Sequence, residues 1–130
     1  MAAKPPRVAL FITCLADQFF PTVGECAVEV LRRLGVGEEP RKLIRAVRGV
    51  EFVELDDYRL CCGFGGTFSV KFPEVSVAMG EDKLRAAKRA GAEVLVANDS
   101  GCLMHLAGLA HRQGLPVRTM HLAELLAKRE

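Results

Sequence analysis

The chain has 130 residues, room for one domain around a single hydrophobic core. Half of the residues are hydrophobic, and 18 basic against 16 acidic residues leave a formal net charge of +2. So small an excess gives no reason to expect nucleic acid or an anionic membrane as partner. No apolar run reaches the roughly 18 residues that a membrane span needs.

The amino end, Met1-Ala2-Ala3-Lys4-Pro5-Pro6-Arg7, lacks the long apolar region and small-residue cleavage site of a signal peptide, so a cytoplasmic location is expected. It leads into a short apolar run over residues 8–12, which reads as a buried strand. Pro21 marks the approach to a helix, with Val23, Ala27, Val30, Leu31 and Leu34 on one face and Gly35 as its stop. Pro40 suits the first turn of a second helix, whose apolar face is Leu43, Ile44 and Val47 and which Gly49 closes. Residues 50–55 read as a second strand and 56–72 as an irregular segment. Pro73 opens a long helix through Ala90, stopped by Gly91. A third strand over 93–97, a helix from about Cys102 to Gln113, a fourth strand over 116–120 and a last helix over 122–128 complete the chain. The basic side chains Arg41, Lys42 and Arg45 on one helix, and Lys83, Arg85, Lys88 and Arg89 on another, are expected on solvated faces.

Strands alternating with helices predict an α/β fold. It would be a small Rossmann-like three-layer domain with a mainly parallel four-stranded sheet, covering residues 1–130 as one unit. Ligands of such sheets gather beyond the carboxyl ends of the strands. Cys14 follows strand one, Cys61 and Cys62 follow strand two, and Cys102 follows strand three. Three loops would therefore carry cysteine to one sheet edge.

Five cysteines in a reducing compartment point to metal or redox chemistry, and an odd number suits a disulfide framework poorly. Adjacent cysteines in a glycine-rich loop can both face a metal, and soft thiolates suit an iron–sulfur cluster. Cys102 stands at a predicted helix N-terminus, which favours a thiolate. Gly63, Gly65 and Gly66 would let backbone N–H groups approach the cluster and donate to its sulfurs. Cys26 reads as a small core residue within its helix. His105, one turn after Cys102, is open to three readings: ligand, donor to a ligand, or plain core or surface histidine. Four thiolates, or three with a histidine, would equally hold a structural zinc ion. A phosphate loop at Gly63, Gly65 and Gly66 fails on spacing, and thiol–disulfide exchange by vicinal cysteines fails on ring strain. No separate substrate site stands out.

The segment Cys61-Cys62-Gly63-Phe64-Gly65-Gly66-Thr67-Phe68-Ser69-Val70-Lys71-Phe72-Pro73 resembles the signature of the cysteine-rich CCG-domain iron–sulfur proteins. Asp99-Ser100-Gly101-Cys102-Leu103-Met104-His105 and Thr13-Cys14-Leu15-Ala16-Asp17-Gln18-Phe19-Phe20-Pro21 extend the resemblance over nearly the whole chain. That family includes the iron–sulfur subunit of glycolate oxidase and a subunit of heterodisulfide reductase, and the likeness is greatest to its branch serving L-lactate utilisation. The resemblance implies a [4Fe–4S] cluster on Cys14, Cys61, Cys62 and Cys102. It implies electron transfer in the oxidation of L-lactate or a related 2-hydroxy acid, beside partner subunits carrying further clusters. Two departures stand out. Residues 8–36 resemble the opening of the first of two family repeats and 38–130 the latter part of the second, as if the chain were internally shortened to one repeat. The position of the family's usual second cysteine after Cys102 is held by His105. The 46 residues between Cys14 and Cys61 exceed the family's gap, which the 34 after Cys26 match, so Cys26 and His105 stay alternatives for the fourth ligand. A cofactor-free remnant acting through protein contacts is the other reading, and surfaces left bare by the shortening would favour a homodimer.

Overall fold

A computed structural model describes residues 6–10, 39–56, 58 and 60–127. The expected strand end at 11–12, the helix near 23–35, and Cys14 and Cys26 with it, lie outside the described residues.

Among the described residues four strands form one parallel sheet: β1 (Arg7–Leu10), β2 (Glu51–Phe52), β3 (Val94–Ala97) and β4 (Arg118–His121). Their spatial order is β2-β1-β3-β4. Register is fixed by pairing Val8 with Phe52 on one side of β1 and with Val94 on the other. The α/β class and the parallel sheet are as the alternation of elements predicts. Strand two is shorter than the stretch expected over 50–55. Val53 N–H still donates to the Val8 carbonyl at 2.8 Å, and the chain then leaves the ladder although Leu55 is buried.

Strand side chains alternate between two apolar layers, as a sheet covered on both faces requires. Ala9, Leu95 and Ala97 face one layer, built with Leu84 and Ala87 of α3 (Pro73–Ala90) and Leu103, Leu106 and Leu109 of α4 (Ser100–Arg112). Val8, Val94 and Val96 face the other, with Ile44 of α1 (Glu39–Ala46) and Leu122 and Leu125 of α5 (Leu122–Ala127). Pro73 stands at the start of α3, where its missing N–H costs nothing, and Gly91 ends it in the left-handed region at φ 67°.

Three expectations are corrected. A short helix, α2 (Thr67–Lys71), interrupts the segment read as irregular, because Phe68 N–H and Phe72 N–H close turns onto Gly65 and Phe68 carbonyls. Lys83 is not solvated but fully buried, at 0% exposure. Arg41 is also buried; its guanidinium lies 4.8 Å from the Tyr58 ring centroid, and its Nε donates to Glu54 at 3.0 Å. Among the described residues no helix is long and apolar enough to cross a membrane.

Leu95 is fully buried in the central strand β3. Leu95→Ala should cost about 2–5 kcal/mol of stability, read as a lower urea midpoint with an unchanged slope.

Candidate functional site

Because the strands are parallel, the chain leaves β2 and β3 at the same edge of the sheet. After β3 the turn into α4 is capped by Asp99, whose carboxylate accepts the Cys102 N–H at 2.8 Å. The cap fixes Cys102 in the first turn of α4, where it is 4% exposed. Just before it, Gly101 lies so close to the Phe64 ring that a Cβ there would overlap it. The first turn of α4 thus presses on the loop that follows β2.

That loop is held from its other side by α3. Lys83 Nζ donates to the Tyr58 carbonyl at 3.1 Å, and Ser76 Oγ donates to the Gly63 carbonyl at 2.8 Å. Between them Gly80 lets the helix meet the Cys62 carbonyl; a Cβ at Gly80 would stand 3.2 Å from that oxygen and overlap Leu109. Gly63 adopts φ 85°, and a Cβ there would collide with the Ser76 carbonyl, so both conformation and space demand glycine.

Held this way, the loop turns its cysteines toward α4. The Cys62 side chain interacts with those of both Cys102 and Cys61. Gly63 N–H lies 3.5 Å from Cys61 Sγ, and Phe64 N–H lies 3.4 Å from Cys62 Sγ. None of the three forms a disulfide. The contact with Cys102 is the largest influence on Cys62 and raises its pKa; that with Cys61 lowers it, burial raises it, and the Phe64 N–H lowers it. The outcome is a pKa of about 11, against 9.0 ordinarily. At neutral pH Cys62 keeps its proton unless a cation displaces it.

The sequence-based site is therefore brought together in three of its four cysteines, Cys61, Cys62 and Cys102. Of the glycines, Gly63 offers its N–H to Cys61 Sγ. Gly65 accepts the Phe68 N–H at the start of α2, and Gly66, at φ 37°, caps that helix and is exposed. Phe64 supplies the second N–H, a role not read from the sequence. His105 has its Nε2 3.3 Å from the Ser76 carbonyl and its ring 6.1 Å from that of Phe64, so it ties α4 to α3 and the loop. Sequence reasoning also misses Ser76 and Lys83. Their signal is nonetheless present, since Ser76, Gly80, Lys83, Leu84 and Ala87 share one helical face.

Among the described residues, no three His, Cys, Asp or Glu side chains surround a single point as ligands of one metal ion. The donors nonetheless fit a thiophilic metal group in their chemistry. They are soft and outside any disulfide, they carry backbone N–H groups directed at two sulfurs, and a cation would relieve the crowding that keeps Cys62 protonated.

Residues 37–107, more than half of the chain, match the family model described as the cysteine-rich (CCG) domain. The chain belongs to that family. Among curated proteins it is similar to Lactate utilization protein A of Lysinibacillus sphaericus, 47% identical over 95 residues, which are 73% of this chain and 42% of that protein. Lactate utilization protein A of Bacillus subtilis is 47% identical over 98 residues, 75% of this chain and 41% of the relative. That of an Exiguobacterium species is 48% identical over 95 residues, 73% of this chain and 39% of the relative. The chain spans well under half the length of these relatives.

A raised thiol pKa means that the folded apoprotein holds its proton more tightly than the unfolded chain. Its contribution is complete below the unfolded value of 9.0 and is lost as pH climbs toward about 11. The metal-free protein should lose stability across that window in urea titrations, and Cys62→Ser should flatten the dependence.

Proposed function

We propose that this protein is an iron–sulfur electron-transfer module of a system oxidising L-lactate or a related 2-hydroxy acid. A [4Fe–4S] cluster would be held by Cys61, Cys62 and Cys102, with Cys14 as fourth ligand. The observation that carries this reading is the contact of Cys62 with both Cys61 and Cys102, which unites thiols from the loops after β2 and β3. Membership of the cysteine-rich family and the names of the relatives support the lactate setting.

The cluster, when bound, supplies one-electron chemistry. The chain's own residues do the rest. The three thiols surrender their protons on binding, which makes loading pH-dependent. The N–H groups of Gly63 and Phe64 donate to the ligand sulfurs and favour the more reduced state. Cys62 and Cys102, at 2% and 4% exposure, keep water away from their sulfurs. Substrate oxidation itself belongs to partner subunits with further clusters, and a homodimer of this chain is part of the same proposal.

Anaerobic iron and sulfide analysis tests it. Wild type should be brown with iron and sulfide in equal amounts; Cys61→Ser and Cys102→Ser should lose both, and Cys26→Ser should keep both. A colourless protein with one zinc per chain would replace the redox reading with a structural one. Loss in Cys26→Ser alone would overturn the ligand choice. Light scattering should return the mass of a dimer, and a monomer at high concentration would refute that part.

A further inference from the structure

Lys83 is the largest fully buried side chain among the described residues. Burying a charge is costly unless it is hydrogen-bonded, so a lysine at this depth marks a position where its bond matters. Its Nζ reaches the Tyr58 carbonyl, three residues before Cys61. Seven residues earlier on the same helical face, Ser76, 1% exposed, binds the Gly63 carbonyl, the residue after Cys62. The loop therefore runs antiparallel to α3, with residues 58, 62 and 63 set against 83, 80 and 76.

We infer that Lys83 and Ser76 are positioning residues that clamp the two ends of the cysteine loop and so set Cys61 and Cys62 against Cys102. This inference rests on the proposed metal role for its purpose, but the clamp is a property of the metal-free protein. Lys83 acts on the cysteines through the loop backbone, at the Tyr58 carbonyl. Because α3 is 18 residues long and packed on the sheet, it holds both anchor points on one rigid body.

The test compares wild type, Lys83→Met and Ser76→Ala, each prepared without metal. Methionine is nearly the length of lysine and suits an apolar site, so Lys83→Met should still fold, with a thermal midpoint lowered by the loss of the bond to the Tyr58 carbonyl. Hydrogen exchange of the amides over residues 60–66 should quicken about tenfold or more, the loss expected for one hydrogen bond to a charged group. Exchange in β3 should quicken less than exchange over 60–66. Maleimide labelling of the tryptic peptide carrying Cys61 and Cys62 should quicken in step. Reconstitution with iron and sulfide should then give a lower iron content than wild type. Should Lys83→Met fail to fold, Ser76→Ala carries the same comparison. Unchanged exchange over 60–66, or equal quickening in β3, would overturn the clamp. If wild type takes up no iron while the exchange differs as expected, the metal reading fails and the clamp stands.

Discussion

A parallel sheet sends the carboxyl end of every strand to one edge, and the arrangement of this protein follows from that constraint. The order β2-β1-β3-β4 places β1 between the two strands whose loops carry the described cysteines. Two strand spacings, about 10 Å, separate the end of β2 from the end of β3. A tight turn cannot cross that distance. The chain after β2 crosses it with a long loop, and α3 and α4 supply the walls between which the loop lies. Cysteine contact is thus a tertiary property, made by helix packing rather than by local sequence.

The loop would be costly to bury without partners for its backbone. Tyr58 and Gly63 carbonyls receive Lys83 and Ser76, the Ser76 carbonyl receives His105, and the N–H groups of Gly63 and Phe64 point at sulfur. Each bond contributes modestly, and leaving any one unmade inside the core costs more than making it returns. The glycines do a different service. Gly80 and Gly101 remove side-chain volume where α3 and α4 close on the loop, and Gly63 supplies the backbone bend between them.

Much of this is legible in the residues. The apolar run at 93–97 and the helical spacing from Pro73 to Ala90 locate β3 and α3 within a residue, because length, proline and glycine all agree there. That Cys61, Cys62 and Cys102 follow strands ending at one edge of the sheet is read from the parallel order of the elements. The alternation rule fails where tertiary contacts override local preference. The strand expected over 50–55 outlasts the observed one, since burial of Leu55 does not require a neighbouring strand. Lys83 reads as solvated because charge is usually a surface signal, and its place is explained by the carbonyl of Tyr58, distant in sequence. The sequence leaves three readings of His105 open, and the Ser76 carbonyl facing it accounts for its position.

The two anchors on α3 also meter the loop. Seven residues of helix separate them by about 10 Å, whereas the chain from Tyr58 to Gly63 can stretch to about 17 Å. The surplus lets the chain bow outward, leaving Leu60 exposed while Cys62 turns inward. Length variation between these two residues would therefore change the depth of the bow and the reach of the sulfurs, even with both anchors intact. Insertions after Gly66, beyond the second anchor, would leave that reach alone, so the chain has one stretch of fixed span beside another free to grow.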